Sequence, residues 1–336
     1  MAKKILVTGS AGFIGFHLVK SLLSRGYMVV GIDNLNDYYD PQLKINRLEN
    51  LNDFVHSNDL QKNYQFVELD IADNSALQNL FEQYKFDIVI NLAAQAGVRY
   101  SIENPGAYVS SNLVGFANIL ECCRHSHIEH LLFASSSSVY GMNKKQPFSE
   151  SDNTDHPVSL YAATKKSNEL LAYSYSHLYG LPVTGLRFFT VYGPFGRPDM
   201  AYYMFTRAID EGSSILVNNG GNMKRDFTYI DDIVEGVLHL VERAPDAVAS
   251  KVSTSLAPYS ILNIGNNDPV TLMRFIQAIE AALGKSAVMS MQGMQAGDVP
   301  ITYADIDNIN AKIGFSPKTS IEDGILKFVE WYRSSV

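Results

Sequence analysis

Short apolar, β-branched runs punctuate the first 190 positions of the chain: KILVTG (4–9), MVVGID (28–33), YQFVELD (64–70), DIVINLA (87–93), HLLFASS (130–136) and VTGLRFF (183–189). They are nearly continuous rather than alternating, as expected of strands covered on both faces. Between them, segments such as FIGFHLVKSLLSRG (13–26) repeat apolar positions at helical spacing, and Gly26 suits a helix C-terminus. Repeated strand–helix order predicts right-handed crossovers and a doubly wound parallel α/β sheet. The stretch 34–63 is longer and more polar than a crossover requires, which predicts an added helix or flap. After residue 190 the alternation fades. GPFGRPDM (193–200) and NNGGNMKRD (218–226) read as loops, while IVEGVLHLVERA (233–244), VTLMRFIQAIEAAL (270–283) and IEDGILKFVEWYRS (321–334) have helical periodicity. The pattern therefore predicts a first domain over 1–189 with about 226–266. A smaller C-terminal lobe, about 190–225 and 267–336, is expected over the carboxyl ends of the strands, where open sheets place ligands.

Composition narrows the partners. With 46% apolar and 18% charged residues the chain reads as a soluble globular protein. A net charge of -8 argues against nucleic acid and anionic membrane, but not against a phosphorylated metabolite held by a few local donors. No apolar run reaches the roughly 20 residues that span a bilayer. MAKKILVTGSAG enters a strand at once, so no signal peptide is expected. Cys122 and Cys123 are adjacent and poorly placed to bridge each other, and no HExxH or Cys/His zinc spacing occurs. The expectation is a reducing cytoplasm and no metal.

The first strand runs into TGSAGFIGFHL, which spaces Gly9, Gly12 and Gly15 as GxxGxxG. Glycines there permit a tight strand-to-helix turn and close backbone approach to a pyrophosphate, which the helix N-terminus stabilises. Phe13 and Ile14 complete this expected cofactor turn. Asp33 ends the second strand, eighteen residues after Gly15. A carboxylate there can accept both adenosine-ribose hydroxyls and would repel a 2′-phosphate, so the expected cofactor is NAD and the sheet a Rossmann sheet. Asn34 and Asn36 follow it. Asp70 and Ile71, after the third strand, are placed at the adenine; Leu92, Ala93 and Ala94, after the fourth, let the cofactor lie close.

The fifth strand ends in four serines, 135–138, where such a fold presents ligand groups. In SLYAATKKS, Tyr161 and Lys165 share a helix face at i and i+4. A tyrosine titrating near 10 is a poor base at neutral pH. A lysine ammonium and a positive nicotinamide beside it favour the phenolate. The set then divides the labour of oxidising a secondary alcohol without metal: nicotinamide takes hydride, Tyr161 the proton, Lys165 tunes Tyr161 and holds a ribose hydroxyl, and a serine aligns the substrate oxygen.

TGSAGFIG, SSSSVYG, YAATK and RFFTVYGP together resemble the extended short-chain dehydrogenase/reductases of the nucleotide-sugar epimerase/dehydratase group, over essentially the whole chain. The resemblance implies Ser136, Tyr161 and Lys165 as the catalytic set, with Ser137 next in line to Ser136. It implies a UDP-sugar partner, and a homodimer through helices at about 104–124 and 159–179. In the group, dehydratases carry an Asp-Glu pair after the catalytic hydroxyl, and decarboxylases a Glu just before VYG. Here those positions are Ser137 and Ser138, which points to an epimerase: C4 is oxidised, the 4-keto sugar turns over, and hydride returns to its other face.

The serine run, Thr190 in RFFTVYGP, Arg197 in GPFGRPDM and AAQAGVRYS (93–101) look most like the UDP-glucuronate 4-epimerases. Hydroxyl donors and a guanidinium suit a C6 carboxylate better than a neutral CH2OH. Arg99 reads equally as a flap residue on substrate or as a surface charge. By resemblance Arg225 meets the diphosphate and Asp298 the uridine ribose, while Gln295 departs from the Arg of UDP-galactose 4-epimerases. The rival readings are a 4-epimerase of UDP-glucose or UDP-N-acetylglucosamine, a UDP-glucuronate decarboxylase, and a non-catalytic NAD-binding sensor on the same fold.

Overall fold

The computed structural model describes residues 2–249, 256–293 and 301–335, which fall into two compact units. The first comprises Met1–Gly141, Asn153–Arg187 and Val234–Leu262; the second comprises Met142–Asp152, Phe188–Ile233 and Asn263–Val336.

The first unit is built on the expected strands: β1 (Lys4–Thr8), β2 (Met28–Asp33), β3 (Tyr64–Glu68), β4 (Ile88–Asn91), β5 (His130–Ser136) and β6 (Val183–Phe188). A seventh strand, Tyr259–Ile264, joins the edge beside β6, giving the spatial order seventh–β6–β5–β4–β1–β2–β3. Pairing of β1 with β2 and β4, of β2 with β3 and of β4 with β5 is parallel. The order reverses at β1, so a crevice opens at the carboxyl ends of β1 and β4. Helices α1 (Phe13–Ser24), α2 (Gln42–Ser57), α3 (Asn74–Tyr84), α4 (Phe116–His125) and α5 (Leu160–Tyr179) complete the frame. Leu6, Ile32, Val89, Leu131 and Val183 form its core with Leu77, Phe81, Phe116 and Ile119 from the helices, a continuous apolar layer that explains the unbroken hydrophobic strands.

The helix expected by resemblance at about 104–124 is divided, and the added element expected within 34–63 is a helix. The span expected as one helix at 104–124 is a short turn (Pro105–Tyr108), a π-helical turn (Val109–Gly115) and then α4. And 34–63 holds α2, whose inward stripe is Lys44, Arg47, Leu51 and Val55.

The second unit has a small sheet in which β7 (Thr190–Tyr192) runs parallel to β9 (Lys224–Tyr229), with Pro269–Thr271 antiparallel and Ile301–Thr302 parallel to β9. Separately, β8 (Ser214–Val217) pairs in parallel with Val288–Met291. Phe227 and Phe275 stack with centroids 4.5 Å apart, and Tyr202 meets Phe328 edge-on at 5.0 Å. At the hub the Asp226 carboxylate accepts the N–H groups of Asn266 (2.6 Å), Ala304 (2.9 Å) and Asn267 (3.1 Å). Burial alone pushes its pKa up, and these bonds oppose that. Residues 142–152, 188–189, 226–233 and 263–266, expected in the first domain, lie in this unit. The cause is main-chain pairing: Phe148 N–H donates to Tyr303 O, Asp305 N–H to Phe148 O, and β9 is the centre of the small sheet.

Candidate active site

The glycine turn between β1 and α1 is shaped by contact. Gly9 has φ +69°, and a Cβ there would stand 2.8 Å from the Ala93 nitrogen; one on Gly15 would stand 2.1 Å from Gly9 O. The turn therefore presses against the end of β4 and the first turn of its own helix, as GxxGxxG anticipates. Helix α1 begins at Phe13 with Gly12 as N-cap and no side-chain cap, which leaves its first-turn N–H groups for an anion. Thr8 joins the two strands at the crevice: its hydroxyl donates to Asn91 Oδ1 (2.7 Å) and accepts Ala93 N–H (3.0 Å). Leu92, Ala93 and Ala94 are half-buried beside it.

At the tip of β2, Asp33 is 7% exposed. Its Oδ1 accepts Leu35 N–H (2.9 Å) and faces Lys44 Nζ (3.4 Å), while Oδ2 accepts no hydrogen bond among the described residues. An acceptor left open in an almost buried carboxylate fits a ribose diol, and with the glycine turn it fits NAD. Asn36 Oδ1 also accepts from Lys44 (3.1 Å). Asn34 Nδ2 donates to Asp70 Oδ2 (2.9 Å), whose Oδ1 takes Ala72 N–H (2.8 Å), so Asp70 shapes its own loop and joins it to Asn34. Ile71 is buried.

Ser136 ends β5, and its hydroxyl accepts Ser138 N–H (3.2 Å), starting a 3-10 turn at Ser137–Tyr140. The Ser138 hydroxyl is buried and has no hydrogen-bond partner among the described residues. Helix α5 is capped by Ser159, whose hydroxyl accepts Ala162 N–H (3.1 Å), so Tyr161 and Lys165 fall in its first turns. Lys165 is 3% exposed and donates to Ala134 O (2.9 Å) on β5. Burial pushes its pKa down to about 8. The ammonium lies 5.9 Å from the Tyr161 ring centroid, and Tyr108 meets that ring edge-on at 6.1 Å. Tyr161, Lys165 and the Ser136–Ser138 turn thus belong to one unit with the glycine turn and Asp33.

The sequence reading missed the groups that hold this arrangement. Ser135 Oγ donates to Glu169 Oε1 (2.6 Å), and Arg187 grips the same carboxylate through Nε and Nη2, both at 2.8 Å. Arg187 Nη1 also donates to Tyr140 OH (3.0 Å). Glu169 continues the Tyr161–Lys165 stripe by one turn, and Arg187 is a charge inside an apolar strand; both signals were in the chain. Asn112, on the π-helical turn, accepts Gln95 N–H (2.8 Å) and donates to Gln95 O and Thr164 Oγ1 (both 3.0 Å). It ties the loop carrying exposed Arg99 to α5.

Of the residues expected on substrate, three are described in the second unit. Thr190 is half-buried at the start of β7, in register with Phe227. Arg197 is engaged by its near neighbour, Nε donating to Asp199 Oδ1 at 3.0 Å. Arg225 lines an apolar cavity of about 160 Å³ with Phe205, Leu216, Met223, Phe227 and Phe275, and donates to Lys224 O (2.9 Å). Asp298 and Gln295 lie outside the described residues.

Comparison with known proteins matches residues 6–328 to the family described as GDP-mannose 4,6 dehydratase. The chain is 54% identical to a Staphylococcus aureus protein named CapI, over 98% of each chain. It is 48% identical to a probable UDP-glucuronate 4-epimerase of Rhizobium meliloti, over 98% of this chain and 96% of that one. The fold superposes with a TM-score of 0.86, at 33% identity, on the crystal structure of a Bacillus cereus UDP-glucuronic acid 4-epimerase in complex with UDP-glucuronic acid and NAD, covering 99% of this chain and 100% of the other.

Proposed function

This chain belongs to the GDP-mannose 4,6 dehydratase family, within the extended short-chain dehydrogenases, and from that premise we propose that it is an NAD-dependent 4-epimerase of a UDP-hexuronic acid, interconverting UDP-glucuronate and UDP-galacturonate. The observation that carries the reading is the serine turn. Ser137 and Ser138 stand where the family's dehydratases and decarboxylases place carboxylates, beside a complete Tyr161–Lys165 pair. A hydroxyl with no activating partner is a poor acid or base for elimination or decarboxylation. The chemistry is thereby confined to the C4 carbinol.

NAD supplies a reversible hydride acceptor at that carbon. Asp33 Oδ2 and the N-terminus of α1 would hold its ribose and pyrophosphate. Tyr161 takes the C4 hydroxyl proton and returns it to the same oxygen. Lys165, fixed on Ala134, keeps a positive charge near the phenolate. Ser136 orients the oxygen, and the open hydroxyl of Ser138 is assigned to the uronate carboxylate. Thr190, Arg197, Arg225 and Asp298 carry over as contacts to the sugar nucleotide, so the first unit is read as the NAD-binding domain and the second as the nucleotide-sugar lobe.

The quaternary reading is a homodimer. Val109, Val114, Leu170 and Leu178, on the π-helical turn and α5, are 45–66% exposed, an apolar set suited to a second copy. Cys122 and Cys123 are free thiols, in keeping with a cytoplasmic setting, and no described helix is long and apolar enough to cross a membrane. The deciding experiment incubates the purified protein with UDP-glucuronate or UDP-glucose, without added cofactor, and identifies products by NMR. UDP-galacturonate is expected from the first. Conversion of UDP-glucose alone, or release of a pentose nucleotide, overturns the assignment.

A further inference from the structure

Helix α2 carries two cations where a helix that merely covered a sheet would carry aliphatics. Lys44 is 5% exposed and Arg47 is fully buried, while the stripe continues with Leu51 and Val55. Burying an ammonium and a guanidinium is costly unless each has a task. Arg47 Nη1 donates to Ala11 O (2.9 Å), inside the glycine turn, and to Tyr39 OH (2.7 Å). The Tyr39 ring centroid is 5.5 Å from both cation heads. Lys44 stands 3.4 Å from Asp33 Oδ1 and 3.1 Å from Asn36 Oδ1. Among the described residues both contacts to the Asp33 carboxylate fall on Oδ1, which leaves Oδ2 available to a ribose hydroxyl.

We propose that Lys44 is a cofactor-specificity residue: the Asp33–Lys44 pair, rather than Asp33 alone, sets the preference for NAD, and Lys44 is a 2′-phosphate anchor that Asp33 keeps masked. The inference rests on the reading that a dinucleotide binds at the glycine turn. A hydroxyl hydrogen-bonded to Oδ2 lies about 2.7 Å from it, and the two carboxylate oxygens are about 2.2 Å apart, which puts the 2′ position within roughly 8 Å of the ammonium. A four-carbon stem can close the rest of that distance onto a phosphate. With Asp33 present the charge of the Asp33–Lys44 pair sums to zero, and Oδ2 repels the phosphate's oxygens. With Asp33 neutral, an uncompensated cation remains beside it.

The test is calorimetric titration of NAD and NADP into wild type, Asp33→Asn, Asp33→Asn/Lys44→Met and Asp33→Asn/Lys44→Arg, with nucleotide retained through purification released by acid and identified. Asparagine keeps the Oδ1 acceptor for Leu35, and methionine keeps the lysine's bulk. Asp33→Asn is expected to gain NADP affinity by about ten- to a hundredfold, as the change of one nearby charge implies. The Met double variant should lose that gain and the Arg double variant keep it. No gain in Asp33→Asn, a gain that survives Lys44→Met, or loss in both double variants overturns the proposal while leaving the NAD reading intact. A wild type that binds and carries no dinucleotide would instead remove the reading beneath it.

Discussion

At Lys165 the fold keeps an amine buried where stability alone would favour a methionine. Its folded pKa of about 8 lies below the ordinary lysine value of 10.5, so the unfolded chain binds the proton more tightly. The burial therefore costs roughly 3 kcal/mol below pH 8, a cost that disappears as pH rises from about 8 to 10.5. Lys165→Met is accordingly expected to stabilise the protein at pH 7 by about 1–3 kcal/mol in urea unfolding, while abolishing epimerisation. The stability gap should narrow by pH 10, and a variant less stable than wild type at pH 7 would contradict the assignment. The serine turn makes a second prediction. A 4-keto uronic acid is a β-keto acid, so a loosened carboxylate should lose CO2. Ser137→Ala and Thr190→Ala should each raise the share of pentose nucleotide in the NMR product profile. An unchanged ratio in both would dismiss Ser137 and Thr190 as carboxylate holders. These residues were legible in the chain because spacing and chemistry coincide: i and i+4 on a helix, hydroxyls at a strand end. Lys44 was not, because a lysine in a polar helix reads as solvent-facing until the partner strand is in place.

Elements are held by a different set of residues. Helix α5 is bound to β5 at consecutive positions, Lys165 to Ala134 O and Glu169 to Ser135 Oγ. Arg187 on β6 closes the clamp from the other side of the carboxylate. Glu169 and Arg187 are 3–4% exposed, so deleting one partner leaves the other charge buried. Glu169→Gln should therefore destabilise by about 3–5 kcal/mol. The double variant Glu169→Gln/Arg187→Met should recover part of that loss in a denaturation cycle, and equal additive losses would mean that the pair does not couple. The sequence pointed to α5 and β6 but was silent on this clamp, since an i, i+4 carboxylate on a helix is more often a solvated charge. The π-helical turn at Val109–Gly115 was equally hidden. Its register shift follows from what surrounds Asn112, whose amide closes on Gln95 and Thr164, residues distant in the chain.

For the whole molecule, the homodimer reading predicts that Leu170→Glu, which changes one exposed position on α5, halves the mass seen by sedimentation equilibrium without altering the far-ultraviolet spectrum. A wild type that already sediments as a monomer refutes it. Much of the architecture was determined by sequence alone: continuous apolar runs can be satisfied only as strands buried on both faces, and their alternation with helices leaves a parallel doubly wound sheet with its glycine turn at the first crossover. The Tyr161–Lys165 stripe and the acceptor at Asp33 followed from local spacing within those elements. What only tertiary structure decided is which polar groups are buried together. The seventh strand, the assignment of 142–152 and 226–233 to the second unit, the Glu169–Arg187 clamp and the placing of Lys44 beside Asp33 all depend on contacts between distant segments. The reason is physical: periodicity reports how a residue faces its own element, whereas the fate of a charge depends on the dielectric and the partner that other elements bring to it.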